Sequence, residues 1–327
     1  MLRSLYFSQD GKQKTDLNQI DMAFALQDQA GLLWVDFEAV SQAETEPLLR
    51  KTFGFHPLAI DDALNESNVP KLDDWGHYLY VVLHTVVFNQ QDEQVDTLEL
   101  DIFVGKNYLV THHDQSIDAV NHVWAACQRD DRLLKNGADH LLYRLMDETV
   151  TSFMPVVEQL DLSLDRIEDE IFGRYTPGTL EKLFAIKRSV LYLRRILAPQ
   201  REALNKLARD RFEVIDEHDR IYFRDVYDHL VRMYDITESV RELVSGALDS
   251  YLSVVNNRLN DVMKTLTIIT TLFMPISFIA SFFGMNFFQP VVPLVVWTSL
   301  PAFLLTLLLI FLMPVSMFIW MRHRRWM

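Results

Sequence analysis

The hydrophobic pattern of this chain is interrupted by charged residues everywhere except near its C-terminus. No Asp, Glu, Lys, Arg or His occurs in the 57 residues from Thr265 to Met321. One helix of that length would extend about 85 Å at ~1.5 Å per residue, whereas the hydrocarbon core of a bilayer is roughly 30 Å thick. The pattern therefore predicts two membrane spans joined by a turn at 284–290, where glycine and proline interrupt the apolar run.

Strand patterns dominate the first third of the chain. Segments rich in β-branched and aromatic residues predict strands at 32–37, 77–88, 97–103 and 108–111. Gly105, Lys106 and Asn107 are typical of a hairpin turn between the last two strands. We therefore predict an α/β domain over residues 1–137.

A helical hairpin is predicted next, over residues 138–215. From Ala138 to Gly173, apolar residues recur three to five positions apart, which predicts one helix. Thr176 as N-cap and Pro177 at the first helical position then begin a second helix.

The helical pattern resumes near Ile221 and reaches the uncharged segment without a Gly-Pro or proline-rich break. We predict one long helix over residues 216–286, a stalk that continues into the first membrane span. Polar, small and methionine residues recur along one side of this helix at heptad spacing. Counted in sevens from Asp249 they are Asn256, Met263, Thr270, Ser277 and Gly284, and counted from Ser253 they are Asn260, Thr267, Met274 and Ser281.

This stripe has two explanations. Small and hydroxyl residues at helical spacing are typical of tight packing between membrane helices. The alternative is a ring of such helices around a polar pore, because apolar residues cover the rest of the span and the stripe must avoid lipid. The amides of Asn256 and Asn260 continue the line beyond the membrane, which favours the pore.

Basic residues next to the two spans predict their orientation. Lys264 precedes the first span, Arg322, Arg324 and Arg325 follow the second, and the connecting loop has no basic residue. Because basic residues near membrane spans mark the cytoplasmic side, we expect a multi-pass inner-membrane protein with both termini in the cytoplasm. Residues 322–327 form its basic cytoplasmic tail.

Composition limits the partners of the part that precedes the membrane. Residues 1–264 hold 28 basic and 45 acidic residues, a net charge of −17, so nucleic acid is not an expected partner. The single cysteine, Cys127, cannot form an internal disulfide, in agreement with a cytoplasmic location. The acidic surface suits either divalent cations or plain solvation.

Two motifs resemble the CorA family of divalent-cation channels. Residues 284–286 (Gly-Met-Asn) are the signature of that family, and here they follow the polar stripe and precede a second span. Upstream, residues 56–64 (HPLAIDDAL), followed by Pro70 and Lys71, also match. The resemblance covers most of the chain.

The resemblance implies a funnel-shaped homopentamer, a subunit number that heptad periodicity alone does not specify. Gly284, Met285 and Asn286 would form the selectivity filter, followed by an external loop at 287–292 and an outer ring of second spans at 293–321. The pore-lining positions of the family correspond to Asn260, Met263, Leu266, Thr270, Met274, Ser277, Ser281 and Asn286, and Asn256 continues their line.

The chemistry of these positions suits a hydrated cation. Mg²⁺ gives up its water reluctantly, so a ring of neutral Asn286 carbonyl groups can hold the hydrated ion without trapping it. Met263 and Leu266 would form a hydrophobic constriction that closes by dewetting.

The resemblance also implies regulatory divalent ions bound between neighbouring cytoplasmic domains. The matching positions are Asp62, helped by Asp61, and Asp225 of a neighbouring subunit, with Asp249 in the cytosolic vestibule. A dication bridging like-charged domains offsets their repulsion, so bound Mg²⁺ would favour the closed pore. Simple solvation is an equal explanation for Asp225.

One departure from the family pattern concerns the choice of ion. CorA members usually carry acidic residues just after the signature, whereas residues 287–293 contain none. Transport of Zn²⁺, Co²⁺ or Ni²⁺, including efflux, is therefore an alternative to Mg²⁺ uptake. No His or Cys lies on the stripe to bind a softer metal, which favours Mg²⁺.

Two other classes of protein are alternatives to a channel. A membrane-anchored enzyme would need a catalytic constellation, and only His112, His113 and Asp114 suggest one, a group equally explained by exposure to solvent. A non-conducting scaffold or sensor would keep the stalk helix but has no use for amides along the stripe. No enzymatic activity is expected.

Overall fold

A computed structural model of the chain describes residues 1–65, 69–89, 94–173, 176–285 and 299–324. The chain divides into two compact units, Met1–Leu248 and Asp249–Met327. A mixed sheet with surrounding helices makes up most of the first unit, whereas the described part of the second is helical.

The sheet of the first unit has seven strands. They are β1 (Leu2–Phe7), β2 (Gln13–Thr15), β3 (Leu32–Glu38), β4 (Lys71–Asp74), β5 (Leu79–Asn89), β6 (Gln94–Val104) and β7 (Tyr108–His113). Their order is β2-β1-β3-β7-β6-β5-β4, with β3 and β7 parallel and the other neighbours antiparallel. The four strands predicted from the sequence correspond to β3, β5, β6 and β7 and are confirmed.

The predicted hairpin between β6 and β7 is also confirmed, and its geometry explains why residue 105 is a glycine. The N–H of Gly105 donates to the carbonyl oxygen of Tyr108 at 2.9 Å across the turn. A Cβ atom at position 105 would lie 2.4 Å from the ring of Tyr108. Any other residue would have to displace that ring, which packs against the core.

Helices cover the sheet. The first five are α1 (Gln19–Gln27), α2 (Gln42–Lys51), α3 (Pro57–Leu64), α4 (Asp118–Arg129) and α5 (Arg132–Lys135). Tyr80 and Val82 of β5 belong to a buried cluster with Phe55 and Ile60. Leu79, Val81 and Leu83 alternate with them along the strand and are buried as well, so both faces of β5 are covered. Burying each such large apolar side chain contributes roughly 1.5–3 kcal/mol.

The helical hairpin differs from its prediction in one respect. It consists of α6 (Ala138–Thr151), α7 (Phe153–Phe172) and α8 (Pro177–Arg209). The prediction of one helix from Ala138 to Gly173 is therefore wrong, because the helix breaks at Ser152. Pro155, in the first turn of α7, has no N–H to donate to the preceding turn, which makes a new helix start favourable there. At the start of α8, the predicted Thr176 cap is confirmed as part of a capping box.

The long helix α9 (Arg220–Gly284) and the C-terminal helix α10 (Leu300–His323) contain the two predicted spans. The uncharged part of α9, Thr265 to Gly284, is about 30 Å long at ~1.5 Å per residue, enough for one crossing of a bilayer. Both helices are long and apolar enough to cross a membrane. Residues 293–298 of the predicted second span lie outside the described residues, and α10 continues two residues beyond its predicted end at Met321.

Candidate functional site

The predicted pore stripe lies along α9. A heptad step rotates only about 20° around a straight α-helix, so these residues stay on one side of it. The eight described residues that are predicted to line the pore are all exposed in the single chain: Asn256, Asn260, Met263, Leu266, Thr270, Met274, Ser277 and Ser281. Phe273 and Phe278, on the rest of the helix surface, are 61% and 71% exposed, compared with 65% for Met274. A single chain therefore does not distinguish a pore side from a lipid side.

Two threonines of the stripe satisfy their hydroxyl hydrogens within the helix. Thr267 Oγ1 donates to the carbonyl oxygen of Met263 at 2.8 Å, and Thr270 Oγ1 donates to that of Leu266 at 2.9 Å. This bonding to the preceding turn makes a hydroxyl group tolerable in hydrocarbon. The hydroxyl oxygens keep lone pairs, which a hydrated cation or a neighbouring helix can use.

The predicted filter begins where α9 ends. Gly284 is the last residue of the helix, and the N–H of Met285 donates to the carbonyl oxygen of Phe282 at 3.3 Å. A Cβ atom on Gly284 would meet nothing within 4 Å, so the single chain does not require glycine there. Asn286 and the loop at 287–292 lie outside the described residues.

The predicted regulatory acids Asp61 and Asp62 lie in the last turn of α3. Pro57 begins this helix, and His56 caps it by accepting a hydrogen bond from the N–H of Leu58 at 3.2 Å. The Asp61 side chain is exposed and accepts a hydrogen bond from Asn65 at 2.9 Å. A turn that exposes two adjacent carboxylates is accessible to a cation in solution.

Lys71, the first residue of β4, already pairs with one of these acids. Its ammonium group donates to Asp62 and lies 3.2 Å from Asp73 Oδ2. Burial lowers the pKa of Lys71, but the hydrogen bonds to Asp62 and Asp73 outweigh burial and raise it above its ordinary value. Lys71 therefore stays positively charged at neutral pH. From the sequence, Lys71 was noted only as part of the upstream motif that resembles the CorA family.

Asp225 and Asp249, the other predicted metal ligands, are exposed on α9. The part of the chain that the structure describes contains no group of three or more His, Cys, Asp and Glu residues that could hold a metal ion. Within the described part of the chain, none of the four predicted acids therefore has the partners to complete a metal site.

The basic residues that predict the orientation of the spans lie next to the apolar parts of α9 and α10. Lys264 is exposed just before the uncharged part of α9. Arg322 lies in the last turn of α10, and Arg324 caps that helix. Arg325 is outside the described residues.

A buried ionic network that the sequence analysis missed lies across β1, β3 and β7. Arg3 Nε donates to Asp36 Oδ2 at 2.7 Å, and Thr111 Oγ1 donates to Asp36 Oδ1. His113 Nε2 lies 3.2 Å from Asp36 Oδ1, and its Nδ1 lies 2.6 Å from the carbonyl oxygen of Gln115. Both ring nitrogens face acceptors, which is the environment of a doubly protonated imidazolium.

The pKa values of this network follow from that geometry. Burial alone would raise the pKa of Asp36, but the hydrogen bond and charge of His113, with Thr111 and Arg3, hold it below its ordinary value. Burial alone would lower the pKa of His113, but Asp36 raises it above its ordinary value. These groups form a structural ion pair. One feature of the sequence could have indicated this network: Asp36 is the only charged residue in the apolar strand 32–37. A buried charge requires a partner, so a cation near this strand could have been expected.

The same region corrects the interpretation of the two adjacent histidines. His112 and His113 are 4% and 1% exposed, so solvent exposure does not explain them, although Asp114 is exposed. His112 Nδ1 lies 3.6 Å from Asp101 Oδ2, and Tyr80 donates to Asp101 Oδ1 at 2.6 Å. Both histidines therefore lie beside buried carboxylates, and His113 is paired with Asp36.

Comparison with known proteins gives the same family along most of the chain. The family described as CorA-like Mg²⁺ transporter protein matches residues 29–324. The cobalt/magnesium transport protein CorA of Thermotoga maritima is 32% identical over 269 residues, which cover 82% of this chain and 77% of that protein. The divalent cation transporter CmaX of Pseudomonas aeruginosa is 28% identical over 279 residues, 84% of this chain and 82% of that protein.

A solved structure shares the fold. The complete CorA magnesium transporter from Methanocaldococcus jannaschii superimposes with a TM-score of 0.81 at 22% identity, over 98% of this chain and 97% of that chain.

Proposed function

This chain belongs to the CorA-like Mg²⁺ transporter family, and from that premise we propose that it is a Mg²⁺ channel of the inner membrane, a homopentamer with both termini in the cytoplasm. The main observation that supports this proposal is the stripe along the uncharged part of α9. Its side chains are neutral, polar or small, so five copies facing one another enclose a path that a hydrated cation can occupy without being trapped. We expect no catalytic activity.

The proposed path runs from the vestibule near Asp249 to the mouth at Asn286. Asn256 and Asn260 line its cytoplasmic end, and Met263 with Leu266 forms the narrow hydrophobic gate. Thr270, Met274, Ser277 and Ser281 line the part within the membrane. The Gly284-Met285-Asn286 filter selects the hydrated ion at the outer end.

Chemical accessibility separates a pore from a packed helix or a non-conducting scaffold. Met274→Cys and Ser277→Cys should react with a charged, water-soluble thiol reagent, because a pore holds water. Ile269→Cys and Phe278→Cys are matched controls that should not react, since lipid would surround them although they are also exposed in the single chain. Cys127 gives no background, because it is buried and burial raises the pKa of its thiol to about 12. Equal labelling at all four positions would contradict the pore.

A second candidate function is transport of Zn²⁺, Co²⁺ or Ni²⁺ through the same path. It is favoured by the lack of acidic residues in 287–293, which removes an external charge that would concentrate dications. Flux of Mg²⁺ against Zn²⁺, in both directions across proteoliposomes, decides between the two.

We further propose that cytoplasmic Mg²⁺ closes the channel by bridging Asp62, with Asp61, to Asp225 of a neighbouring subunit. The ion can shift the equilibrium only if it binds the closed arrangement more tightly than the open one. Asp225→Asn keeps the size of the side chain but removes its charge. The internal Mg²⁺ concentration that halves the current should therefore rise about fivefold to tenfold.

Asp235→Asn is the matched control for this prediction, because Asp235 is also an exposed aspartate of α9. It makes the same change in net charge and should leave the inhibition curve unchanged. If the curves of the wild type and Asp225→Asn superimpose, Asp225 is a solvated acid and the gate responds to other groups.

A further inference from the structure

Lys71 occupies the carboxylate that the proposed regulatory ion would use. Its ammonium group donates to Asp62, lies 3.2 Å from Asp73 Oδ2, and stands 5.2 Å from the centroid of the Tyr80 ring. The side chains of Lys71 and Asp62 are 30% and 41% exposed, so water and small ions reach the pair. The arrangement joins the end of α3 to the edge strand β4.

A fixed ammonium group beside a carboxylate opposes a second cation there. Lys71 donates to an Asp62 oxygen that would otherwise be free to bind an ion or its water shell. Its positive charge also repels a dication within a few ångströms, and this repulsion is twice that between two single charges. The lysine is part of the chain, so its effective concentration at Asp62 is high and independent of the ions in solution.

We propose that Lys71 is a built-in competing cation that lowers the affinity of Asp62 for the regulatory divalent ion and so sets the ion concentration at which the channel closes. The inference rests on the proposed regulatory site and adds a residue that tunes it. Without Lys71, Asp62 and Asp61 would bind divalent ions more tightly, and the channel would close at lower cytoplasmic Mg²⁺.

The test uses the full-length protein in detergent and measures how much MgCl₂ is needed to protect it from protease. Lys71→Met keeps an unbranched side chain but removes the charge. It should lower the Mg²⁺ concentration at half-protection by about threefold to tenfold. Lys71→Arg keeps the charge and should leave that concentration within about twofold of the wild type. Lys71→Gln is a second neutral variant, in case Met at this half-exposed position disturbs folding.

Lys135 provides a control for the change in net charge. It pairs with Asp131 at 2.6 Å and lies near Phe7 of β1, towards the opposite end of the sheet from β4. Lys135→Met should leave the Mg²⁺ dependence unchanged. A lysine that only ties α3 to β4 would instead lower the melting temperature of Lys71→Met in the absence of Mg²⁺ without lowering the half-protection concentration.

Asp62→Asn separates failure of this inference from failure of the regulatory site. If Asp62→Asn has the same Mg²⁺ concentration at half-protection as the wild type, the proposed regulatory site itself is wrong. If Asp62→Asn raises the half-protection concentration but the neutral Lys71 variants leave it within twofold or raise it, the site stands and the role of Lys71 is overturned. The inference requires that Lys71→Met lower that concentration in the wild type and lose this effect in the Asp62→Asn background.

Discussion

Asn286→Ala is expected to lower Mg²⁺ flux about 100-fold while the protein still folds and assembles. Every subunit would lose the amide that accepts the water shell of the ion at the pore mouth, and a 100-fold loss corresponds to about 2.8 kcal/mol of ion stabilisation. Flux is measured in proteoliposomes that contain a Mg²⁺-sensitive dye. Size-exclusion chromatography of the same preparation tests assembly.

Asn257 is the matched control for the mouth. It is an exposed amide of α9 next to Asn256 but outside the heptad series, so Asn257→Ala should leave flux within about twofold of the wild type. A similar flux for Asn286→Ala would remove Asn286 from the filter. Loss of the oligomer would mean instead that Asn286 is needed for assembly.

Asp36→Asn is expected to destabilise the first unit by about 3–5 kcal/mol, the usual cost of leaving a buried charge without its partner. Asp36 and His113 are fully buried side chains, and the Arg3 side chain is 12% exposed, so water cannot replace the lost carboxylate. Denaturant unfolding of the full-length protein, followed by tryptophan fluorescence, measures the loss. Trp34 reports on the network because its indole N–H donates to Thr111 at 3.1 Å.

The same variant should alter the pH dependence of stability. The pKa of His113 is raised in the folded state, so its stabilising charge is fully present below about pH 6.5 and is lost as the pH rises through the folded-state value. The pKa of Asp36 is lowered, so its contribution is present above about pH 4 and is lost as the pH falls further. The stability difference between the wild type and Asp36→Asn should therefore be largest between about pH 4 and about pH 6.5, and it should narrow as the pH rises through the folded-state pKa of His113.

An exposed pair serves as the control for the stability loss. Asp130 pairs with Arg132 at 2.6 Å, and their side chains are 40% and 83% exposed. Asp130→Asn should cost far less stability than Asp36→Asn, because water screens an exposed ion pair. If Asp36→Asn lowers the stability no more than Asp130→Asn does, then burial does not isolate Asp36 from water.

The helical half of the chain was largely predictable because its signals are local. The helical period repeats every few residues, and proline, glycine and threonine mark the ends of α8 and α9 through their own backbone chemistry. The break at Ser152 escaped prediction because the hydrophobic period continues through it. Pro155, which has no N–H to donate to the preceding turn, lies within that continuous period, and it is compatible with either a kink or a new helix start.

The ion pairs of the first unit were not predictable, because they join residues that are distant in the sequence. Arg3 lies opposite Asp36 in the antiparallel pair β1–β3, and Asp36 lies beside Thr111 in the parallel pair β3–β7. Neither register follows from the strand patterns alone. Whether His112 and His113 are buried likewise depends on what covers each face of β7, which only the packed structure specifies.

The sequence by itself determined that the chain has two apolar segments long enough to span a membrane, a polar stripe along the first of them and a Gly-Met-Asn tripeptide at its end. Absence of charge over 57 residues and heptad spacing are properties of the chain before it folds. The tertiary structure decided which charges are paired. It placed Lys71 against Asp62 and Asp36 between Arg3 and His113, because the energy of a charge depends on the groups and the water around it.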